Sequence, residues 1–381
     1  MYLIYTVTVY LFVRTIQQYI GVLHSIRYLK REREKFYSSE NREVKKDIAI
    51  LIPIYDEPKR LLKDAVEFWK EREETLYFIT TAKEMECQSC RYLNELSGNF
   101  KTIHYPKNSG GKAEQLNYAI KSLNAQYYAI FDIDSRPEFE VLDYIYSDEV
   151  NREIYQAPTL FTGNFYKGSI FSKGNGIFQS RRVLAFEIPS WLNRDFSYLV
   201  GHGLIVRSDV AEKFPFVGQT VTEDLIFGYQ TNLDGIYPKV VPFFDIAEVP
   251  KNSIRGTIQT GRWFVGDLTL FKFIQTDGNI RKLLFRYLHI FEWLLGSFVV
   301  IIALIFGTES TNITILSVLL LYIVLLHETA NTIIKKRLSL SVYIGIIYKA
   351  TINGIGPLYG LIRYILSQLG VLNYGFEKTK K

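Results

Sequence analysis

The sequence predicts an α/β fold, a mostly parallel sheet with helices on both faces, joined to an α-helical membrane part. Three observations carry this reading. Between residues 47 and 134, strand-like apolar runs alternate with amphipathic helical stretches. Long apolar runs stand before and after the region. The 48% hydrophobic content, ordinary for a globular protein, divides into a charged middle and strongly apolar ends.

The first element is MYLIYTVTVYLFVRTIQQYIGVLHSI, interrupted only by Arg14, Gln17 and Gln18. At about 1.5 Å per residue it reaches across a bilayer core of ~30 Å. It lacks a basic start and a small-residue cleavage site, so residues 1–28 are expected to form an uncleaved membrane helix. DIAILIPIY (47–55) is a buried strand, and the next helix carries Leu61, Leu62, Ala65, Phe68 and Trp69 on one stripe. TLYFITT (75–81), a helical stretch to about Ser97, KTIHY (101–105), the helix of GKAEQLNYAIKSL and the strand YYAIFDID complete the alternation. Such a succession gives a mostly parallel sheet with right-handed crossovers.

Past residue 266 the apolar character returns. Residues 267–284 read as an interfacial segment, and 285–334 as a transmembrane hairpin turning at GTESTN. Residues 338–370 contain Lys349, Asn353, Pro357 and Arg363, which suits an interfacial, re-entrant or fourth membrane segment. Basic residues follow the first span (RYLKREREK) and the third (Lys335, Lys336, Arg337), and the 307–312 turn has none. That asymmetry places the large domain, 45–266, on the cytoplasmic face of a multi-pass cell-membrane protein.

The net charge of +6 is modest, and the basic clusters flank membrane runs, where anionic headgroups account for them. Nucleic-acid binding is therefore not expected. Cys87 and Cys90 form a lone C-x-x-C without the second pair that zinc requires.

Chemistry begins at the fourth strand. Asp132 and Asp134 stand one residue apart where the apolar run ends, at the carboxyl edge where α/β sheets collect ligands. If the chain is still extended there, both carboxylates point to one side and repel unless a cation sits with them. A divalent ion on a diphosphate is the economical cation, because Mg²⁺ or Mn²⁺ often needs only one or two carboxylates plus phosphate oxygens. A solvated turn is the alternative for an isolated pair of this kind.

The company of the pair is specific. PIYDEP (53–58), GGKAEQLN (110–117), DID (132–134), TED (222–224) and QTGRW (259–263) occur in this order. The set resembles the membrane-bound family 2 glycosyltransferases of the cellulose-synthase-like group, over residues 48 to 266 and the flanking hairpin. The resemblance implies a GT-A domain, that is, a Rossmann-like nucleotide-binding domain. It implies Pro53, Tyr55 and Glu57 in a nucleoside-binding loop, and Asp132 as a nucleotide-contacting carboxylate. Asp134 becomes a metal ligand together with Asp132, and Asp224 a general base on the acceptor hydroxyl. Lys112 at a helix start suits a phosphate. By the same resemblance Gln259, Arg262 and Trp263 belong to the nucleotide and diphosphate set, Arg262 meeting the departing diphosphate with a planar charged fork and Trp263 walling the acceptor or the sugar by stacking. Glu223, His202 in VGHG, Gln156 in QAP and Trp191 in EIPSW are acceptor-side candidates.

One departure bears on the donor. Many relatives end the second strand with an acid that contacts uracil, and this chain has Thr80 and Thr81. That favours a GDP-sugar over a UDP-sugar. The sequence looks closest to archaeal mannosyltransferases that build dolichyl-phosphate-linked N-glycans from GDP-mannose with Mn²⁺. The expected reaction is an inverting, metal-dependent hexosyl transfer to an isoprenoid-phosphate-linked acceptor in the bilayer. A processive polysaccharide synthase using a UDP-sugar is the competing reading, and a catalytically silent nucleotide- or lipid-binding scaffold is another.

Overall fold

A computed structural model describes residues 2–39, 46–55, 57–82, 88–107, 111–218, 220, 222–274, 280–335 and 338–371. The elements run α1 (Tyr2–Ser38), β1 (Ile48–Pro53), α2 (Lys59–Trp69), β2 (Leu76–Thr81), α3 (Gln88–Asn94), β3 (Phe100–Tyr105), α4 (Lys112–Ser122) and β4 (Tyr127–Ile130). Then come β5 (Arg136–Pro137), α5 (Glu140–Ser147), β6 (Ile154–Gln156), β7 (Thr159–Leu160), α6 (Ile170–Arg182), a π-helical turn (Val183–Glu187) and α7 (Ile188–Leu192). β8 (Leu204–Arg207), α8 (Ser208–Lys213), α9 (Glu223–Leu233), β9 (Lys239–Val240) and β10 (Asp245–Ile246) precede α10 (Ser253–Leu268), α11 (Ile280–Phe306), α12 (Glu309–Thr329), α13 (Leu340–Ile352) and α14 (Ile355–Gln368).

The chain forms two compact units: a sheet unit of residues 30–159 and 190–247, and a helical unit of residues 1–29, 160–189 and 248–381. In the sheet unit, seven strands lie in the order β3-β2-β1-β4-β8-β6-β9. β1 pairs in parallel with β2 and β4, with Ile50 opposite Leu76 and Ile48 opposite Tyr127. β1 is central, which is why its sequence is continuously apolar. The sheet is mixed, because β8 runs antiparallel to β4 and β6. Leu62, Ala65 and Trp69 of α2 pack against this sheet, as the stripe predicts.

β4 ends at Ile130, earlier than the apolar run suggests. Asp132 then opens a turn, its carbonyl accepting the Ser135 N–H at 3.0 Å. The premise that an extended chain carries Asp132 and Asp134 to one side therefore fails. The turn leaves the Asp132 side chain 35% exposed and buries Asp134 to 4%.

The helical unit is built on glycine crossings. A Cβ on Gly174 of α6 would lie 2.0 Å from the carbonyl carbon of Gly345 on α13, and one on Gly261 of α10 would lie 2.8 Å from the Gly356 oxygen of α14. Backbones approach this closely only where no side chain intervenes. Among the described residues, one helix is long and apolar enough to cross a membrane, Arg286–Phe306, 21 residues of mean hydropathy 2.2. Glu309–Leu325 is apolar but shorter. The N-terminal run is one continuous 37-residue helix. Cys87, Gly110, Lys336 and Arg337 lie outside the described residues.

Candidate active site

The site is assembled in the sheet unit where β1 and β4 end. Gln115 of α4 donates its amide to the Ile54 carbonyl at 2.8 Å, which holds the chain leaving β1 against that helix. Pro53 closes β1, and Tyr55 and Glu57 follow it half-buried, on either side of Asp56, which lies outside the described residues. At the end of β2, Thr80 and Thr81 are fully buried, and Thr80 Oγ1 lies 2.6 Å from His104 Nδ1 on β3.

Lys112 is the first residue of α4, after Gly111. Its ammonium donates to Asp132 Oδ1 at 2.7 Å and to the Gly201 carbonyl at 2.6 Å. The N–H of the same Gly201 donates to Asp224 Oδ2 at 2.7 Å. Asp224 sits in the first turn of α9, and its Oδ1 accepts the Leu225 N–H at 2.9 Å. One glycine residue thus links the Lys112–Asp132 pair to the Asp224 carboxylate. Burial alone would push the Lys112 ammonium down, but Asp132, Glu223 and Asp224 outweigh it and hold its pKa above the ordinary value.

A second chain of bonds fixes the loop beside it. Asp245 on β10 is fully buried, and its Oδ2 takes the Ser135 hydroxyl at 2.8 Å and meets His202 Nδ1 at 2.7 Å. Burial tends to lower the His202 pKa, yet the bond to Asp245, with the charges of Asp245 and Asp132, raises it overall. Gln156 is fully buried as well. Its amide nitrogen lies 3.1 to 3.2 Å from the carbonyls of Ala157, His202 and Gly203, and its Oε1 accepts the Val200 N–H at 3.1 Å. Gly203 turns with φ of 63°, a conformation that suits glycine.

The structure therefore brings Lys112, Asp132, Glu223, Asp224 and His202 together around the 200–203 loop. Gln156 serves that loop from beneath. Trp191 is 2% exposed and donates its indole N–H to the Tyr198 carbonyl at 2.9 Å, a packed position inside the unit. Gln259, Arg262 and Trp263 lie on α10 in the helical unit, all three partly exposed.

Ser135, Gly201 and Asp245 escaped the sequence reading. Only Asp245 left a signal, as a lone carboxylate in the apolar run VVPFFDIA.

A divalent ion fits this donor set in one way. No group of three or more His, Cys, Asp or Glu side chains among the described residues could cage a metal. A Mg²⁺ or Mn²⁺ ion that shares phosphate oxygens needs fewer protein ligands: the turn holds the Asp132 carboxylate beside the Lys112 ammonium, and Asp134, buried two residues on, is the second carboxylate of that turn.

The profile of glycosyl transferase family group 2 matches residues 129–327 of the 381. No curated protein matches the chain. Among solved structures, the mannosyltransferase PcManGT from Pyrobaculum calidifontis, in complex with GDP-Man and Mn²⁺, is similar with a TM-score of 0.51 and 12% identity, over 89% of this chain and 98% of that one. S. aureus TarS, residues 1–349, is similar with a TM-score of 0.42 and 12% identity, over 87% of this chain and 94% of that one. The first likeness shows the fold, a GT-A-like glycosyltransferase arrangement.

Proposed function

The chain belongs to glycosyl transferase family group 2, and from that premise we propose that it moves a hexose, mannose from GDP-mannose, onto a hydroxyl of an isoprenoid-phosphate-linked acceptor with inversion. The observation that carries the reading is the Gly201 bridge, whose carbonyl serves Lys112 and whose N–H serves Asp224. In this reading it joins the cation that meets the diphosphate to the carboxylate that takes the proton.

In the step itself, the acceptor oxygen forms a bond to the anomeric carbon while the bond from that carbon to the donor phosphate oxygen breaks. The electron pair leaves with the nucleoside diphosphate, and the hydroxyl proton passes to Asp224. An alcohol is a poor nucleophile, and a positioned base contributes ~10²- to 10⁴-fold. Gly201 and Leu225 take one lone pair on each Asp224 oxygen, so the carboxylate keeps acceptor capacity for that proton. Lys112 meets the departing phosphates. Asp134 with Asp132 would hold Mn²⁺ or Mg²⁺, which when bound neutralises diphosphate charge. By resemblance, Gln259, Arg262 and Trp263 are candidates for the diphosphate, and Tyr55, Glu57 and Pro53 for the nucleoside.

A membrane setting is part of the proposal. Large apolar side chains stand exposed along α1 (Tyr5, Val9, Phe12, Ile16, Ile20), along α11 and α12 (Leu288, Ile302, Leu316, Leu320) and along α13 and α14 (Ile344, Ile347, Ile362, Ile365). Such a surface suits lipid, with the helical unit in the bilayer, multi-pass, and the sheet unit cytoplasmic. GDP as the nucleotide rests on buried Thr80 and Thr81 at the end of β2, where an acid would otherwise meet uracil.

The test uses the full chain in detergent, with GDP- and UDP-sugars and Mn²⁺. Asp224→Asn is expected to keep nucleotide binding and lose at least ~10²-fold in transfer rate, and Asp134→Ala to lose the metal-dependent part of nucleotide affinity. Near-normal transfer by Asp224→Asn removes the mechanism. A ladder of products on a lipid acceptor, in place of one added sugar, makes the chain a processive synthase.

A further inference from the structure

The helical unit holds a group of cations. Arg181 on α6 is 4% exposed and Lys349 on α13 is 3% exposed. Their helices meet at Gly174 and Gly345, and one turn beyond each glycine stand Phe178 and Lys349. The Lys349 ammonium lies 5.8 Å from the Phe178 ring, and the Arg181 guanidinium lies 4.9 Å from the same ring. Arg181 also faces Tyr322 at 5.1 Å and Phe186 at 5.8 Å, and Arg14 shares Phe186 at 5.3 Å. Arg182 lies over Trp293 at 5.5 Å.

The acids here are committed. Glu292 takes Arg14 through two bonds, at 2.9 and 3.1 Å, and Glu187 lies 3.7 Å from Arg182. Arg181 donates to Gln18, a neutral acceptor, and its Nε has no partner among the described residues. The Lys349 ammonium has an aromatic ring beside it and, among the described residues, no hydrogen-bond acceptor or acid. Among the described residues, two buried positive charges therefore lack a carboxylate, an arrangement that is costly unless an anion completes it.

We propose that Arg181 and Lys349 bind the phosphate of an isoprenoid phosphate lipid. A guanidinium fork and an ammonium together suit phosphate oxygens. The apolar side chains exposed near them, Ile344, Ile347 and Tyr348 on α13 and Leu320, Leu321 and Val324 on α12, suit a hydrocarbon tail and give a free phosphate ion nothing. The proposal deepens the reading of the chain as a transferase with a lipid-borne acceptor, and it takes its biological sense from that reading.

The experiment measures binding of farnesyl phosphate, farnesol and inorganic phosphate to the full chain in detergent by native mass spectrometry, with phosphatidylglycerol as a second lipid phosphate. Farnesyl phosphate is expected to bind at least about 10-fold more tightly than each of the others, and Lys349→Gln and Arg181→Gln each to abolish that margin. Retained GDP binding with Mn²⁺ reports that a variant is folded, and Lys349→Met serves if Arg181→Gln is not. Equal binding of farnesol, or unchanged binding by the Lys349 variants, overturns the site. Inorganic phosphate or phosphatidylglycerol matching farnesyl phosphate overturns the isoprenoid assignment. Failure of hexosyl transfer with intact farnesyl phosphate binding counts against the proposed function alone, and intact transfer with no such binding counts against this site alone.

Discussion

Replacing Gly201 by alanine tests the bridge that carries the proposed chemistry. Gly201 does not adopt a positive φ, so alanine brings no backbone strain of that kind and the effect is steric. The new Cβ would stand 2.8 Å from Asp224 Oδ2 and 3.1 Å from its Cβ and Cγ. A contact under 3.0 Å has to open, and the Asp224 carboxylate is the group that can move. Its 2.7 Å bond from the Gly201 N–H stretches or breaks. Hydrogen bonds to charged groups contribute about 1.5 to 3 kcal/mol, and ~1.4 kcal/mol is tenfold in rate, so transfer should slow by ~10- to 10²-fold. The misplacement of a base by about 1 Å gives the same order. Nucleotide affinity should change little, because the Gly201 carbonyl still accepts from Lys112. The assay is single-turnover transfer in wild type, Gly201→Ala, Asp224→Asn and the double variant. Since both changes act through one carboxylate, the double variant should be no slower than Asp224→Asn. A further tenfold loss in the double variant, or an unimpaired Gly201→Ala enzyme, would refute the reasoning.

Other outcomes follow from the same geometry. Gln156→Leu strips the 200–203 loop of its buried amide, with the Val200 N–H losing its side-chain acceptor, so stability should fall by ~1 to 3 kcal/mol in denaturant titration, with transfer reduced in step. The His202 pKa is raised in the fold, so its protonated form stabilises the protein: the contribution is complete below about pH 6.5 and disappears as pH climbs through the raised folded value. The difference in unfolding free energy between wild type and His202→Gln should therefore shrink from acid to alkaline pH, and a flat difference would show that the Asp245 contact has no such role. Gly345→Ala places a Cβ 2.2 Å from the Ile170 carbonyl oxygen, and the α6–α13 crossing should lose ~1 to 3 kcal/mol, read as a lowered melting temperature in detergent.

The parallel half of the sheet was legible because its strands are uninterrupted apolar runs, and β1 to β4 fall within a few residues of DIAILIPIY, TLYFITT, KTIHY and YYAIFDID. The antiparallel β8 was not, since LIVR is four residues long and its partner β6 only three. Short strands take their direction from pairing, which local periodicity does not encode. The stop of β4 was hidden for a similar reason. Phe131 and Ile133 continue the apolar alternation, while the Ser135 hydroxyl, accepting the Asp132 N–H and donating to Asp245, bends the chain. The membership of residues 160–189 in the helical unit goes with Gly174 meeting Gly345, a contact between positions 171 residues apart that no single window contains.

In the site, spacing revealed the charged side chains and concealed what holds them. Asp132, Glu223 and Asp224 all act on Lys112, and Asp245 and Asp132 act on His202, so the carboxylates outnumber the cations around one loop. Like charges gathered this way separate unless donors are threaded between them. The donors used are mostly neutral: the N–H groups of Gly201 and Leu225, and the Ser135 hydroxyl. Neutral donors satisfy lone pairs without cancelling charge, and the site keeps a surplus of negative charge at the place where the proposal puts a divalent ion and a diphosphate. Had these positions been lysine or arginine, the acids would pair off and the attraction for an incoming cation would be lost. The residues that do this work are a glycine, a serine and a leucine backbone amide, types too common to stand out in a sequence, and for that reason the geometry had to supply them.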